Sequence, residues 1–253
     1  MCWTVRKFYE NEKMKKMKKK FLLFDVDRTL LDFDRSEAEA IKNTLLYFSL
    51  PVNDKICARY PAINEMLWEE FEKGTIEKAT ILYHRFDLLF QEFGIHFDSK
   101  EFDTYYRKDL SKHAFLIDGA KELLISLKAK GYQIHYVTNG TAGVQYPRLK
   151  QSGLDVLADG IFLSEEIGHQ KPEKAFFDLV FPKISDFQLE KAIIIGDSLS
   201  SDMKGGINAG LDTMWYNPKR QENKLGIPVT YEVHALSEIE TVLEALSNVG
   251  GGN

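Results

Sequence analysis

Cysteine is scarce in this sequence: Cys2 and Cys57 are the only two in 253 residues. Two thiols build neither a disulfide framework nor a cysteine zinc cluster, and such usage suits a reducing cytoplasm. No uninterrupted apolar run approaches the length of a membrane span. An excess of positive charge is also missing. The formal net charge is −5 at pH 7, which argues against a protein that binds a nucleic-acid polymer through charge. The six histidines show no H-E-x-x-H or paired ligand spacing, and there is no G-x-x-x-x-G-K-[ST] phosphate loop. His135 and His169 border apolar runs, where packing or solvent contact is the default. What is present is the composition of a folded globular protein, 44% hydrophobic and 28% charged. The length allows one large domain, or one domain with a sizeable insertion.

The two ends differ from the middle. "RKFYENEKMKKMKKK" is basic and lacks the apolar centre of a secretory signal. Residues 1–16 read as a flexible basic tail, with Met14 and Met17 as alternative starts. The alternative is a basic arm that touches a membrane or nucleic acid. "VGGGN", residues 249–253, reads as a second tail.

Between the tails the pattern changes twice. "FLLF" is a short apolar run that ends in Asp25. Helical spacing follows: "SEAEAIKNTLLYF" with a capping box at Ser36 and Glu39, then "AINEMLWEEFEKG" and "EKATILYHRFDLLFQEFG". In the last of these, Leu82, Phe86, Leu89 and Phe93 form one stripe, and Gly74 and Gly94 stand where helices stop. "SKEFDTYYRKDLSKH" is also predicted helical, so residues 35–111 hold no strand. From Asp118 onward, helices alternate with the short strands "YQIHYVT", "GIFLS", "KAIIIG" and "DTMWYN". "GVQYPRLKQSG" is read as a helix that begins or bends at Pro147. Alternating strands and helices imply βαβ units, hence a parallel sheet covered on both faces. The predicted fold is α/β: a Rossmann-like core over 17–34 and 112–248, interrupted by an all-helical insertion over 35–111.

Such open sheets bind ligands at the carboxyl ends of their strands. Those ends carry Asp25 after "FLLF", Thr138 after "IHYV" and Asp197 after "IIIG". Asp27 lies one residue past Asp25. Carboxylates crowded at a strand end repel one another and gain nothing from packing, so a metal ion with phosphoryl chemistry is the expected reason for them. One acid can attack phosphorus, and a neighbour can protonate the leaving oxygen and then activate water. Asp197 and Asp202 in "GDSLSSD" offer oxygen ligands to a hard ion such as Mg²⁺. Lys171, just before Pro172 in a helix's first turn, brings an ammonium to the same edge. Thr138, Asn139 and Gly140 can donate hydrogen bonds to a phosphoryl oxygen. Thr29 is expected to fix the turn after Asp27.

In this order, "DVDRT", "VTNG", "KPEKAFF" and "GDSLSSD" resemble the four motifs of the haloacid dehalogenase (HAD) superfamily. The resemblance covers the whole α/β core and implies that the helical insertion is a cap domain. It implies Asp25 as nucleophile and Asp27 as general acid/base whose backbone carbonyl also binds metal. Thr138 and Lys171 match the phosphate-binding and charge-stabilising positions. Asp197 matches the direct Mg²⁺ ligand, and Asp202 the second acid of its motif, which binds through water or orients Lys171. A carboxylate at Asp27 favours phosphate esters over halides, because an alkoxide leaving group needs a proton and a halide does not. A phosphomutase uses the same residues, and an inert binding module would keep the fold alone.

A finer resemblance is to the YjjG/YfnB-like pyrimidine 5′-nucleotidases. It rests on "FDVDRTLLDF", "NEMLWEEFEKGTI", "RFDLLFQEFGI", "GDSLSSDMKGGINAG" and "TMWYNP". It implies a small phosphorylated metabolite as partner, a nucleoside 5′-monophosphate, with phosphoglycolate or a sugar phosphate as the alternative. Selectivity is then expected from the cap, where Asn64 and Trp68 lie one helical turn apart. Arg85, near the apolar stripe, would either reach the substrate or extend its head to water. Gly205 and Gly206 are expected to allow close helix–sheet packing.

Overall fold

The computed structural model describes residues 19–248; the expected tails 1–16 and 249–253 lie outside the described residues. Six strands form the centre: β1 (Phe21–Phe24), β2 (Gln133–Thr138), β3 (Gly160–Leu163), β4 (Ala192–Gly196), β5 (Asp212–Tyr216) and β6 (Tyr231–Val233). All pair in parallel, in the order β3-β2-β1-β4-β5-β6. The chain adds strands to one side of β1 and then crosses to the other. The crevice therefore opens where β1, β2 and β4 end.

The helices, in chain order, are α1 (Phe33–Tyr47), α2 (Asp54–Glu72), α3 (Lys78–Phe93), α4 (Ser99–Leu110) and α5 (Ala120–Ala129). They continue with α6 (Ala142–Ser152), α7 (Ser164–Ile167), α8 (Lys174–Val180), α9 (Lys204–Ala209) and α10 (Leu236–Asn248). A β-strand sends alternate side chains to opposite faces. Leu22, Phe24, Ile134, Ile193 and Ile195 accordingly pack with Leu124 and Leu127 of α5 and Ile239 and Leu243 of α10. Phe21, Leu23, Val137 and Ile194 face the other way, onto Phe176 and Phe177 of α8 and Ala209 of α9. The sheet is buried on both sides, which is why its strands read as apolar runs rather than alternations.

Helices α1–α4 build a second apolar cluster around Ile41, Tyr60, Ile63, Phe86, Leu89, Phe102 and Tyr106, which Val144 of α6 joins. The two chain segments that join them to the sheet run side by side. Leu31 and Leu116 form an antiparallel bridge, and the Asp32 N–H donates to the Phe115 carbonyl at 2.8 Å.

Several local expectations shift. The cap of α1 is Asp32, which accepts from the Arg35 N–H; Ser36 instead donates its hydroxyl to the Asp32 carbonyl, one turn into the helix. The buried stripe of α3 is Ile81, Arg85, Phe86, Leu89 and Phe90, with Leu82 and Phe93 only half-buried at its edges. Helix α6 begins at Ala142 and carries Pro147 inside it, and α8 begins two residues after Pro172. β6 falls outside every predicted strand because it is three residues long. At Gly206 a Cβ would overlap Ile194 Cγ2 and stand 2.8 Å from Thr213 Cγ2, so this glycine does permit close helix–sheet packing. Among the described residues no helix is long and apolar enough to cross a membrane.

Candidate active site

Asp25 is the first residue past β1, and its N–H still donates into the sheet, to the Ile195 carbonyl at 2.9 Å. That fixes its carboxylate between the ends of β2 and β4. Lys171 reaches it from the loop before α8. Its ammonium is 1% exposed and donates to Asp25 Oδ1 at 2.7 Å, Asp202 Oδ1 at 2.6 Å and the Val137 carbonyl at 2.7 Å. Burial opposes that charge, but Asp202 and Asp25 outweigh it and hold the ammonium's pKa above its usual range. Asp202 lies on a π-helical turn, Leu199–Met203, and its Oδ2 accepts from the Ser198 N–H at 3.1 Å. A side chain at Gly196 would overlap the Asp202 carboxyl, so the approach requires glycine there.

Carboxylate oxygens of Asp25, Asp197 and Asp202 lie within 4.8 Å of one another. With all three ionised, as a bound cation would favour, three carboxylates beside one ammonium leave a surplus of two negative charges, the charge a divalent cation would balance. An all-oxygen donor set suits a hard ion such as Mg²⁺. Burial pushes the Asp25 carboxyl well above its ordinary value; Lys171 opposes this, while Asp202 and Asp197 add to it. Burial, with Asp202 next, pushes Asp197 up to about 7. The Thr29 hydroxyl donates to Asp197 Oδ1 at 3.4 Å instead of back to its own turn.

The carboxylate of Asp27 points to α6. Arg148 Nη1 donates to Oδ1 at 2.5 Å, and Gln145 Nε2 donates to Oδ2 at 2.7 Å. Gln145 Nε2 also reaches Thr138 Oγ1 at 2.9 Å, where the Gly140 N–H donates at 3.0 Å. The Thr138 oxygen thus accepts two hydrogen bonds, which leaves its own proton to give away. The side chain of Asn139 is engaged elsewhere. Its Oδ1 accepts from the Lys171 N–H at 3.0 Å and its Nδ2 donates to the Lys171 carbonyl at 2.9 Å, so its side chain clamps the lysine backbone. Gln145 and Arg148 were not singled out in the sequence. The available signal was their spacing, three apart on one face of a helix that follows a strand end.

Helices α2 and α3 reach down to the same edge. Ser200 Oγ donates to Glu72 Oε2 at 2.5 Å, and burial pushes that carboxyl up to about 7. Lys78 Nζ donates to the Gly140 carbonyl at 3.0 Å and Ser164 Oγ at 3.1 Å, and burial lowers its pKa to about 8. A cleft of about 450 Å³ lies beside them, lined by Gly74, Ile76 and Lys78 on one side and Ser164, Glu165 and Gln170 on the other.

Of the three residues expected on the substrate side of the insertion, Asn64 and Arg85 are engaged within it. Asn64 is buried and donates to Glu37 Oε1 at 2.7 Å while accepting from Arg85 Nη1 at 3.1 Å. Arg85 neither extends to water nor stands free for a substrate, because it is 3% exposed and pairs with Asp103 at 2.7 Å. Trp68 is half-buried, edge-on to Phe71 with ring centroids 5.7 Å apart.

The model of the haloacid dehalogenase-like hydrolases matches residues 22–216. YfnB of Bacillus subtilis is 40% identical over 228 residues, 90% of this chain and 97% of YfnB. A crystal structure of YfnB bound to magnesium, described as revealing interdomain movement, superposes with a TM-score of 0.86 and covers 90% of this chain and 99% of that one. The pyrimidine 5′-nucleotidase PynA of Streptococcus pneumoniae is 37% identical over 225 residues, 89% of this chain and 95% of PynA. The pyrimidine 5′-nucleotidase YjjG of Escherichia coli is 29% identical over 227 residues, 90% of this chain and 99% of YjjG. The chain belongs to the haloacid dehalogenase-like hydrolases.

Proposed function

We propose that this protein is a Mg²⁺-dependent phosphomonoesterase acting through an aspartyl-phosphate on Asp25, with pyrimidine nucleoside 5′-monophosphates as its preferred substrates. The observation that carries the chemistry is the convergence of Asp25, Asp197 and Asp202 around one buried lysine at the carboxyl edge of the sheet. Lys171 occupies Asp25 Oδ1. Oδ2 is the oxygen left to form a bond to phosphorus as the bond to the leaving oxygen breaks. Asp27 gives that oxygen its proton, then takes one from the water that attacks the aspartyl-phosphate and restores the carboxylate. The Thr138 hydroxyl holds a phosphoryl oxygen, and Lys171, whose three N–H groups go to Asp25, Asp202 and the Val137 carbonyl, adds its positive charge beside it. Bound at Asp25, Asp197, Asp202 and the Asp27 carbonyl, Mg²⁺ would neutralise the phosphoryl charge.

The pyrimidine preference draws on PynA and YjjG, which align over most of their lengths with this chain. We assign residues 17–34 and 112–248 to a catalytic core and 35–111 to a cap that closes over it and excludes water. The second apolar cluster, of α1–α4, and their reach to Ser200 and Gly140 support that division.

Phosphate release should be measured from a panel of nucleotides, sugar phosphates and phosphoglycolate, with Mg²⁺ and with a chelator. The expected result is turnover of pyrimidine nucleotides that the chelator and Asp25→Asn each abolish. No turnover of any ester by the wild type would end the enzyme reading. A tenfold preference for phosphoglycolate over every nucleotide, about 1.4 kcal/mol, would overturn the substrate class alone.

A further inference from the structure

Arg148 has 0% exposure, yet it carries a charge whose burial is costly unless its donors are placed. Its partners come from three distant parts of the chain. Nη1 donates to Asp27 Oδ1 at 2.5 Å and to Gln145 Oε1 at 3.1 Å. Nε donates to the His113 carbonyl at 2.9 Å, and Nη2 reaches Ser36 Oγ at 3.4 Å. Phe33 covers the guanidinium, with its ring centroid 5.7 Å away. Ser36 lies where the chain enters the helical insertion, and His113 lies where it returns. One side chain therefore grips Asp27 and both crossings between insertion and sheet.

We propose that Arg148 is the positioning residue for Asp27, tying the place of that carboxylate to the two segments that set the insertion's orientation. This rests on the reading of Asp27 as the group that gives and takes the proton. Asp27's side chain is 26% exposed, so without a partner it could turn into water. An oxygen that transfers a proton must stay within hydrogen-bond reach of the atom it serves, and a misplacement of about 1 Å can cost about 100-fold. Arg148 does not stand among the groups offered to phosphate. Its fork instead fixes one oxygen of Asp27 while Gln145 fixes the other. An apolar side chain of similar length would fill the space and leave Oδ1 unheld, with Gln145 alone on Oδ2.

The test compares wild type, Arg148→Met, Arg148→Lys, Asp27→Asn and the double variant Arg148→Met with Asp27→Asn. Each is assayed with Mg²⁺ on a nucleoside 5′-monophosphate and on 4-nitrophenyl phosphate, whose phenolate leaves without a proton. The value of kcat/KM reports the steps up to loss of the leaving group. In Arg148→Met it should fall about 100-fold on the nucleotide and by less than about tenfold on the aryl ester. Arg148→Lys, which keeps the charge but not the fork, should fall between them and wild type. The double variant should be within about threefold of Asp27→Asn alone, because both changes remove the same function. Equal losses on the two esters, or losses that multiply in the double variant, would overturn the proposal. Arg148→Lys carries the same leaving-group comparison if Arg148→Met does not fold. A wild type without turnover removes the enzyme reading and this proposal with it. Turnover that ignores Arg148 removes this proposal only.

Discussion

Ser200 donates its hydroxyl to Glu72 at 2.5 Å, which joins the last residue of α2 to the turn that carries Asp202. A hydrogen bond to a carboxylate contributes about 1.5–3 kcal/mol when buried, and less here because Glu72 is half-buried. Its loss should act on the fit of α1–α4 against the sheet rather than on the whole fold. Glu72→Ala is therefore expected to speed amide exchange over residues 69–78 while changing global stability by under about 1 kcal/mol. Exchange confined to wild-type rates in that segment would mean that the bond does not hold the insertion down.

Lys171 is placed between two carboxylates, Asp25 and Asp202, and all three are largely buried. Removing the ammonium leaves like charges facing each other without compensation, a change that typically costs about 3–5 kcal/mol. Lys171→Met should lower the melting temperature sharply in the presence of a chelator. Added Mg²⁺ should return part of that loss, since a cation bound by the native state stabilises by about 2.7 kcal/mol at 100 times its Kd. In Lys171→Met combined with Asp197→Asn and Asp202→Asn, the Mg²⁺ response should vanish. A response that survived would place the cation elsewhere.

Asp25, Thr138 and Asp197 were legible in the sequence because each follows an apolar run, and a parallel sheet gathers the ends of its strands. Lys171 and Asp202 were legible from the motifs around them. What could not be read was which partner a buried charge chooses. Arg85 looked like a side chain free for solvent or substrate, yet Asp103, on the next helix, pairs with it. The side chain of Asn139 clamps the backbone of Lys171, 32 positions away, a contact no local pattern shows. Arg148 finds Asp27 across 121 positions, a pairing that exists only once α6 lies against the end of β1. Periodicity also misplaced the stripe of α3, because a charged residue, Arg85, occupies one of its buried positions. Apolar patterning thus gave the sheet and its edge, whereas polar contacts at long separation needed the fold.

Glu37 illustrates how such contacts set pH dependence. It is 1% exposed and accepts from Asn64, with Arg28 and Arg85 nearby. Burial outweighs these cations and raises its carboxyl from the usual 4.5 to about 7. The folded state therefore holds a proton that the unfolded chain gives up. The stability this contributes is complete below about pH 4.5 and is lost as pH rises through 7. Glu37→Gln keeps a hydrogen-bonding group in place and removes the titration. It should flatten the fall in melting temperature between pH 5 and 8, and at pH 8 recover up to about 3 kcal/mol. A variant with the wild-type pH profile would show that Glu37 stays ionised throughout.

Two glycines separate a cost in stability from a cost in function. At Gly206 an added methyl would overlap Ile194 Cγ2 and stand 2.8 Å from Thr213 Cγ2, both on strands of the sheet and neither free to move. Gly206→Ala should destabilise by about 1–3 kcal/mol through overpacking and leave kcat per folded molecule unchanged. At Gly140 the methyl would instead meet one side chain, Gln145, at 2.5 Å from Nε2, 2.6 Å from Cγ and 2.7 Å from Cδ. To make room, that fully buried side chain must leave Asp27 Oδ2 and Thr138 Oγ1, to which it donates, and Arg148 Nη1, from which it accepts. Gly140→Ala should also cost about 1–3 kcal/mol of stability through the buried hydrogen bonds it displaces, but, unlike Gly206→Ala, it should lower kcat per folded molecule about tenfold or more as the two groups lose their common donor. Chemical denaturation and initial-rate kinetics on the same preparations would decide it. A Gly140→Ala enzyme with full kcat would mean that the hydrogen bonds of Gln145 fill space without guiding the reaction.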